Sequence, residues 1–102
     1  MIRLWLDDLR PAPSGWVWVK TVAAAQALLR RGGVVEVSLD HDLGDDGAGT
    51  GYDLAVWIEE EALHARLPRL KWAVHSANPI GRERMEQALG NADIFWDDAP
   101  PA

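Results

Sequence analysis

The sequence predicts a single three-layer α/β domain around a central, mostly parallel β-sheet. Short apolar runs alternate with helix-forming segments, as in strands joined by helical crossovers. Three of these runs end in polar, largely acidic segments, at 5–8, 38–42 and 74–78. A chain of 102 residues has room for one hydrophobic core only. The domain is expected to span 1–98, with a frayed tail at 99–102.

The first half of the chain predicts three strands and one helix. A first strand covers 2–6, and the Pro/Gly-containing connector at 10–15 leaves no room for a helix before a second strand at 16–19. A threonine that can cap opens a helix at 21–31, and a Gly pair ends it. The next strand, at 34–39, is mostly apolar, as a central parallel strand is. The helix that a regular alternation of strands and helices would place between the first two strands is therefore degenerate or absent.

The second half predicts two helices and two strands. A capping box at 50–53 opens a helix of about four turns, and a strand follows at 70–74. Asn78-Pro79 is a favoured helix start, Gly90 is expected to end that helix, and 94–96 is expected to be a short last strand. The residues expected to face the core on these helices are Leu54, Trp57, Ile58, Ala62, Ile80, Met85, Ala88 and Leu89.

Composition excludes several classes of protein. The net charge of −6 argues against non-specific binding to a nucleic-acid backbone, which needs clustered Lys and Arg. The chain contains no Cys, which excludes disulfides and thiolate metal sites. We expect a cytoplasmic protein without membrane contact, since no apolar run reaches about 18 residues and the N-terminus has no signal-peptide pattern.

Acidic residues at neighbouring strand ends predict a metal site. The carboxyl ends of parallel strands meet at one edge of a sheet, where ligands bind. Asp7 and Asp8 end the first strand and Asp40 ends the third, with Asp42 as a fourth candidate. Carboxylates this close together need a cation, and hard oxygen ligands favour Mg²⁺ or Mn²⁺. The sequence therefore predicts a divalent metal acting on phosphate.

These acids resemble the pocket of response-regulator receiver domains, in which a paired acid and a third Asp on the neighbouring strand hold Mg²⁺. Ser76 matches the hydroxyl residue that receivers carry at the fourth strand end. The chain departs from receivers because the first helix is missing, His41 and Asp42 follow the third acid, and His75 precedes the hydroxyl. No Lys follows Lys71, so the Lys that receivers use to read phosphorylation has no counterpart.

Nearly the whole chain is similar to the cyclic-phosphate processing receiver domains. The motifs that carry this resemblance are WLDDLRP at 5–11, SLDHDLG at 38–44, GTGYD at 49–53 and HSANPIGRERM at 75–85. The resemblance implies a receiver-like, flavodoxin-type fold converted to a phosphoesterase. It also implies that the ligand is a small cyclic phosphate derived from a nucleotide.

The remaining polar residues are candidates for catalysis and phosphate binding. His75 is expected to protonate the leaving alkoxide, or His41 to activate water, because imidazole titrates near neutral pH. The residues expected to hold the phosphate, with the free N–H groups of the last helix, are Ser76, Asn78, Arg82 and Arg84. Five of these residues have a structural alternative. His75 can simply hydrogen-bond within the rim, and His41 can bridge carboxylates as a structural cation. Ser76 and Asn78 can simply start a helix, and Arg82 can pair with Glu86.

Three other functions remain open from the sequence. The chain could be a module that binds a cyclic nucleotide without turning it over. It could be a divergent signalling receiver phosphorylated on Asp40, although the missing Lys counts against this. It could also be a scaffold with a vestigial acidic pocket that holds neither ion nor ligand.

Overall fold

The computed structural model of the protein describes residues 1–44 and 46–98. The predicted tail at 99–102 lies outside the described residues. The elements in chain order are β1 (Ile2–Leu6), β2 (Val17–Val19), α1 (Val22–Arg31), β3 (Val34–Leu39), a 3₁₀ turn (Asp46–Ala48), α2 (Gly51–Leu63), β4 (Lys71–Val74) and α3 (Pro79–Asp98). None of these helices is long and apolar enough to cross a membrane.

The four strands form one sheet in the order β2-β1-β3-β4, and all neighbouring pairs are parallel. In register, Leu6 lies beside Val19 on one side and Leu39 on the other, and Leu39 lies beside Val74. The strand ends are therefore level along one edge of the sheet. The predicted α/β receiver-like class is confirmed, and so is the absence of a helix between β1 and β2.

The helices share one hydrophobic core with one face of the sheet. Leu4, Leu6, Val37 and Leu39 are fully buried in a single cluster with side chains from all three helices. The connections from β2 to β3 through α1 and from β3 to β4 through α2 step across the sheet in the same direction. Because such crossovers are right-handed, α1 and α2 lie on the same face of the sheet. Since α3 packs along α2, the described chain has one helical layer.

Among the described residues the helices cover one face of the sheet, and the missing first helix explains why the other face has none. The connection from β1 to β2 steps the opposite way across the sheet, so a helix there would have covered the other face. Without it, Arg3, Lys71 and Ala73 are exposed on that face, and Glu36 is half-buried between the two cations.

Capping explains where α1 and α2 begin. Thr21 accepts a hydrogen bond from the backbone N–H of Ala24, as expected for an N-cap. Thr50 and Asp53 form the predicted capping box, in which each side chain accepts a hydrogen bond from the other's backbone N–H. Both starts were predicted correctly because capping depends on residues within one turn.

The prediction for residues 90–96 was wrong. α3 continues through Gly90 to Asp98, and the expected strand at 94–96 belongs to this helix. The apolar residues Met85, Leu89, Ala92 and Trp96 recur at helical spacing and pack on the core, so burial keeps the helix going past Gly90. Ile80 is also not in the core, since 66% of its surface is exposed.

Candidate functional site

The ends of β1, β3 and β4 surround a cavity of about 250 Å³. Its lining combines the acidic segments after β1 and β3 with the start of the segment that leads into α3. The lining residues are Asp7, Asp8, Leu9, Arg10, Asp40, Asp42, Gly44, Ser76, Ala77 and Asn78. The structure therefore brings together the three strand-end segments that the sequence singled out, because parallel strands in register end at one edge.

Asp7 is the most constrained acid of the site. It is buried, with 1% of its surface exposed, and its Oδ1 accepts hydrogen bonds from the backbone N–H groups of Leu9 and Arg10 at 2.9 Å each. Its Oδ2 lies 3.0 Å from Nε2 of His75. Burial alone would raise the pKa of Asp7, but these hydrogen bonds outweigh it and lower the pKa. Asp7 is therefore an ionised carboxylate in a fixed orientation.

Asp8 and Asp40 complete a cluster of three carboxylates with Asp7. One oxygen from each lies within 4.8 Å of the other two. Asp40 is half-buried, and burial together with the charge of Asp7 raises the pKa of its carboxyl group, against a hydrogen bond from the His41 backbone. The Gly44 backbone lies so close to Asp8 that a Cβ on residue 44 would be 2.5 Å from Asp8 Oδ2.

This cluster fits a divalent cation. Three carboxylates with oxygens within 4.8 Å of one another supply the hard oxygen ligands that Mg²⁺ and Mn²⁺ bind. Asp42 lines the same cavity but is not in the close cluster, and its exposed carboxylate instead pairs with Nδ1 of His41 at 2.9 Å. Asp7, Asp8 and Asp40 are thus the residues that could hold the ion.

His75 lies behind Asp7 rather than in the cavity lining. Its Nε2 contacts Asp7, its Nδ1 lies 2.8 Å from the Ser38 hydroxyl, and its ring stacks on Trp5 at 3.8 Å between centroids. Burial lowers the pKa of His75, although the nearby carboxylates of Asp7 and Asp40 act in the opposite direction. Both ring nitrogens of His75 are thus within hydrogen-bonding distance of protein side chains, Nδ1 with Ser38 and Nε2 with Asp7.

His41 is held against the start of α3. A Cβ at Gly81 would collide with the His41 ring, so the ring rests directly on the α3 backbone. Its Nδ1 faces Asp42, and its side chain is 19% exposed. The ring is not among the groups that line the acidic cavity.

Ser76 and Asn78 line the cavity and also start α3. The Ser76 hydroxyl oxygen accepts a hydrogen bond from the Asn78 backbone N–H at 3.1 Å, and Asn78 Oδ1 accepts one from the Gly81 backbone N–H at 3.0 Å. Both residues therefore have the helix-starting role that was the structural alternative to phosphate binding. The Ser76 hydroxyl also lines the cavity, where its O–H can donate a hydrogen bond.

The arginines are arranged differently from expectation. Arg82 pairs with Glu86 at 3.3 Å, and Arg84 lines a separate cavity beside Tyr52 on the outer side of α2 and α3. Neither lines the acidic cavity. Arg10 does, and its Nη1 donates a hydrogen bond to the His75 carbonyl oxygen at 2.8 Å.

Sequence reasoning missed two residues. Arg10 is the cation in the lining of the acidic cavity, and its position two residues after the Asp pair was the available signal. Ser38, which contacts His75, lies on β3 two residues before Asp40, and this closeness to the third acid was the available signal.

Comparison with known proteins gives one match. The family model described as "Cyclic-phosphate processing Receiver domain" matches residues 2–91. The searches of curated proteins and of solved structures gave no match. The matched span contains β1 through most of α3 and every residue that lines the acidic cavity. The chain therefore belongs to the cyclic-phosphate processing receiver domain family.

Proposed function

We propose that the protein is a metal-dependent phosphoesterase that opens cyclic phosphates on small, nucleotide-derived molecules. The observation that carries this proposal is the cluster of Asp7, Asp8 and Asp40, with oxygens within 4.8 Å of one another, beside Arg10 in one cavity. Family membership supports a cyclic phosphate as the substrate.

The charge of the cavity requires a cation for this chemistry. A phosphodiester is an anion and is repelled by three carboxylates unless a divalent ion lies between them. Asp7, Asp8 and Asp40 would hold the ion. When bound, a divalent ion polarises a phosphoryl oxygen and lowers the pKa of its bound water to produce a nucleophile.

Other side chains that line the cavity would bind the substrate phosphate. The Arg10 guanidinium supplies positive charge in a geometry suited to phosphate oxygens. The Ser76 hydroxyl, which also lines the cavity, supplies a further donor. A cavity of about 250 Å³ suits a phosphate and its sugar rather than a polymer.

A screen of cyclic phosphates tests the proposal. The protein is incubated with 2′,3′-cyclic and 3′,5′-cyclic nucleotides and with base-free cyclic sugar phosphates, in Mg²⁺ or Mn²⁺, and phosphomonoester formation is followed by ³¹P NMR. We expect metal-dependent ring opening of at least one class, lost in Asp40→Asn and retained in the surface control Glu60→Gln. No ring opening with any compound and either metal would refute the enzymatic proposal.

Binding and mass measurements on the same protein separate the alternatives. Tight binding of a cyclic nucleotide without turnover, measured by calorimetry, would identify a binding module. Absence of ion and ligand binding would identify a scaffold. A signalling receiver would form a lasting acyl phosphate on Asp40, which intact mass spectrometry detects after incubation with acetyl phosphate.

A further inference from the structure

Ser38 lies under the acidic site without lining it. It is in β3, two residues before Asp40, and 5% of its surface is exposed. Its hydroxyl oxygen is 2.8 Å from Nδ1 of His75, which arrives from the end of β4. A hydroxyl in a mostly apolar strand costs burial free energy unless it has a partner, and His75 is that partner.

His75 connects Ser38 to the acid cluster. Its Nε2 is 3.0 Å from Oδ2 of Asp7, and a carboxylate accepts hydrogen bonds, so Nε2 carries a hydrogen. In the neutral ring, Nδ1 is then an acceptor and the Ser38 hydroxyl donates to it. One continuous chain of hydrogen bonds thus runs from Ser38 through His75 to Asp7.

The ring has little freedom to leave this position. It stacks on Trp5 with an interplanar angle of 6°, and its side chain is 15% exposed. The His75 backbone is held as well, because its N–H donates to the Leu39 carbonyl oxygen and its carbonyl oxygen accepts from Arg10. Presenting an N–H to a leaving group would require breaking the contact with Asp7 or with Ser38.

We propose that Ser38 and His75 are positioning residues, which orient the Asp7 carboxylate within the acid cluster. Ser38 sets which nitrogen of His75 carries the hydrogen, and His75 fixes Oδ2 of Asp7 while two backbone N–H groups fix Oδ1. Partners that orient a ligand carboxylate typically change metal affinity by about 10–100-fold when removed. The inference rests on the proposed function, and it gives His75 a role different from proton donor.

NMR of the metal-free protein tests the hydrogen-bond chain directly. Long-range ¹H–¹⁵N spectra should show His75 in the Nε2–H form with Nδ1 as an acceptor. In Ser38→Ala the Nδ1 resonance should move, whereas it should stay in place in Ser14→Ala, which removes a hydroxyl from an exposed connector. A wild-type ring protonated at Nδ1 alone, or an unchanged resonance in Ser38→Ala, would overturn the proposal.

Binding of Mn²⁺ tests the consequence for the site. Calorimetry should give an affinity weaker by about 10–100-fold in Ser38→Ala and His75→Ala. His75→Gln should recover much of the affinity because its side-chain amide can still donate to Asp7. Equal affinity in wild type, Ser38→Ala and His75→Ala would refute positioning. If wild type binds no Mn²⁺, the proposed function fails, and the NMR result still decides the hydrogen-bond chain.

Leaving-group dependence separates positioning from proton donation. A positioning role predicts that His75→Ala loses activity by the same factor on a cyclic phosphate and on an activated nitrophenyl phosphodiester. A proton donor predicts that the loss shrinks for the nitrophenol, which leaves without a proton, and this outcome would overturn the proposal. If Ser38→Ala does not fold, the NMR spectrum of wild type and the difference in Mn²⁺ affinity between His75→Gln and His75→Ala still test the proposal.

Discussion

Replacing Asp8 by Asn should stabilise the metal-free protein and abolish its response to metal. Asp8 belongs to the cluster of three carboxylates and, unlike Asp7, has no hydrogen bond from His75 or from a backbone turn among the contacts that the structure describes. Asn keeps the shape of the side chain and removes the charge, so the change acts mainly through repulsion with Asp7 and Asp40.

The separation of the carboxylates sets the magnitude. At 4.8 Å, two unit charges repel by about 1 kcal/mol in a water-like dielectric and by about 3.5 kcal/mol at an effective dielectric constant of about 20. Asp8 is only half-buried, so the lower figure applies best, and the two pairs together give about 1–2 kcal/mol. For a domain of this size, each kcal/mol raises the Tm by about 4–8 °C.

Metal binding should raise the Tm of wild type by a comparable amount. An ion at ten times its Kd stabilises the folded state by about 1.4 kcal/mol, which corresponds to about 6–11 °C. Differential scanning fluorimetry with Mg²⁺, Mn²⁺ and EDTA measures both effects. Glu60→Gln, which removes one exposed negative charge from α2, is the matched control and should behave like wild type.

Two results would refute this reasoning. If wild type shows neither a Tm increase nor calorimetric heat with millimolar Mg²⁺ or Mn²⁺, the carboxylates do not form a metal site. If Asp8→Asn keeps the full Tm response, the ion is held without Asp8, and Asp42 becomes the first carboxylate to replace.

Three further predictions follow from the site. Arg10→Gln should weaken substrate binding by about 10-fold or more because it removes a charged hydrogen-bond donor. Steady-state kinetics should show this as a raised KM. An equal rise in KM in Arg84→Gln would contradict the assignment of Arg10. Burial lowers the pKa of His75 in the folded protein, so below about pH 6.5 the unfolded state binds more protons than the folded state. The free energy of unfolding should therefore fall as the pH drops from about 6.5 to 5. Urea unfolding should show a shallower fall in His75→Gln, and an identical pH profile would count against the lowered pKa. Acetyl phosphate should leave no lasting adduct on Asp40, since no Lys is among the described residues that line its cavity; a stable mass increase of one phosphoryl group would support the signalling receiver instead.

Local sequence patterns determined much of the fold. The caps at Thr21 and Thr50 and the apolar runs of β1, β3 and β4 act within a few residues, so they can be interpreted without tertiary structure. Gly90 shows the limit of this approach. An isolated glycine weakens a helix by about 1 kcal/mol, and burial of the apolar residues that follow it outweighs that cost.

The sequence by itself also indicated that Asp7, Asp8 and Asp40 would share one edge of a sheet, because the carboxyl ends of neighbouring parallel strands lie at the same edge. It could not determine which side chains face that edge from the connecting segments. Arg10 reaches the cavity while Arg82 and Arg84 do not, and this depends on how the turn after β1 and the first turns of α3 pack. The direction of the His75 ring was likewise decided by Ser38 on β3 and Trp5 on β1. These contacts join residues 37 and 70 positions from His75 in the chain, and only the packed sheet brings them within hydrogen-bonding and stacking distance.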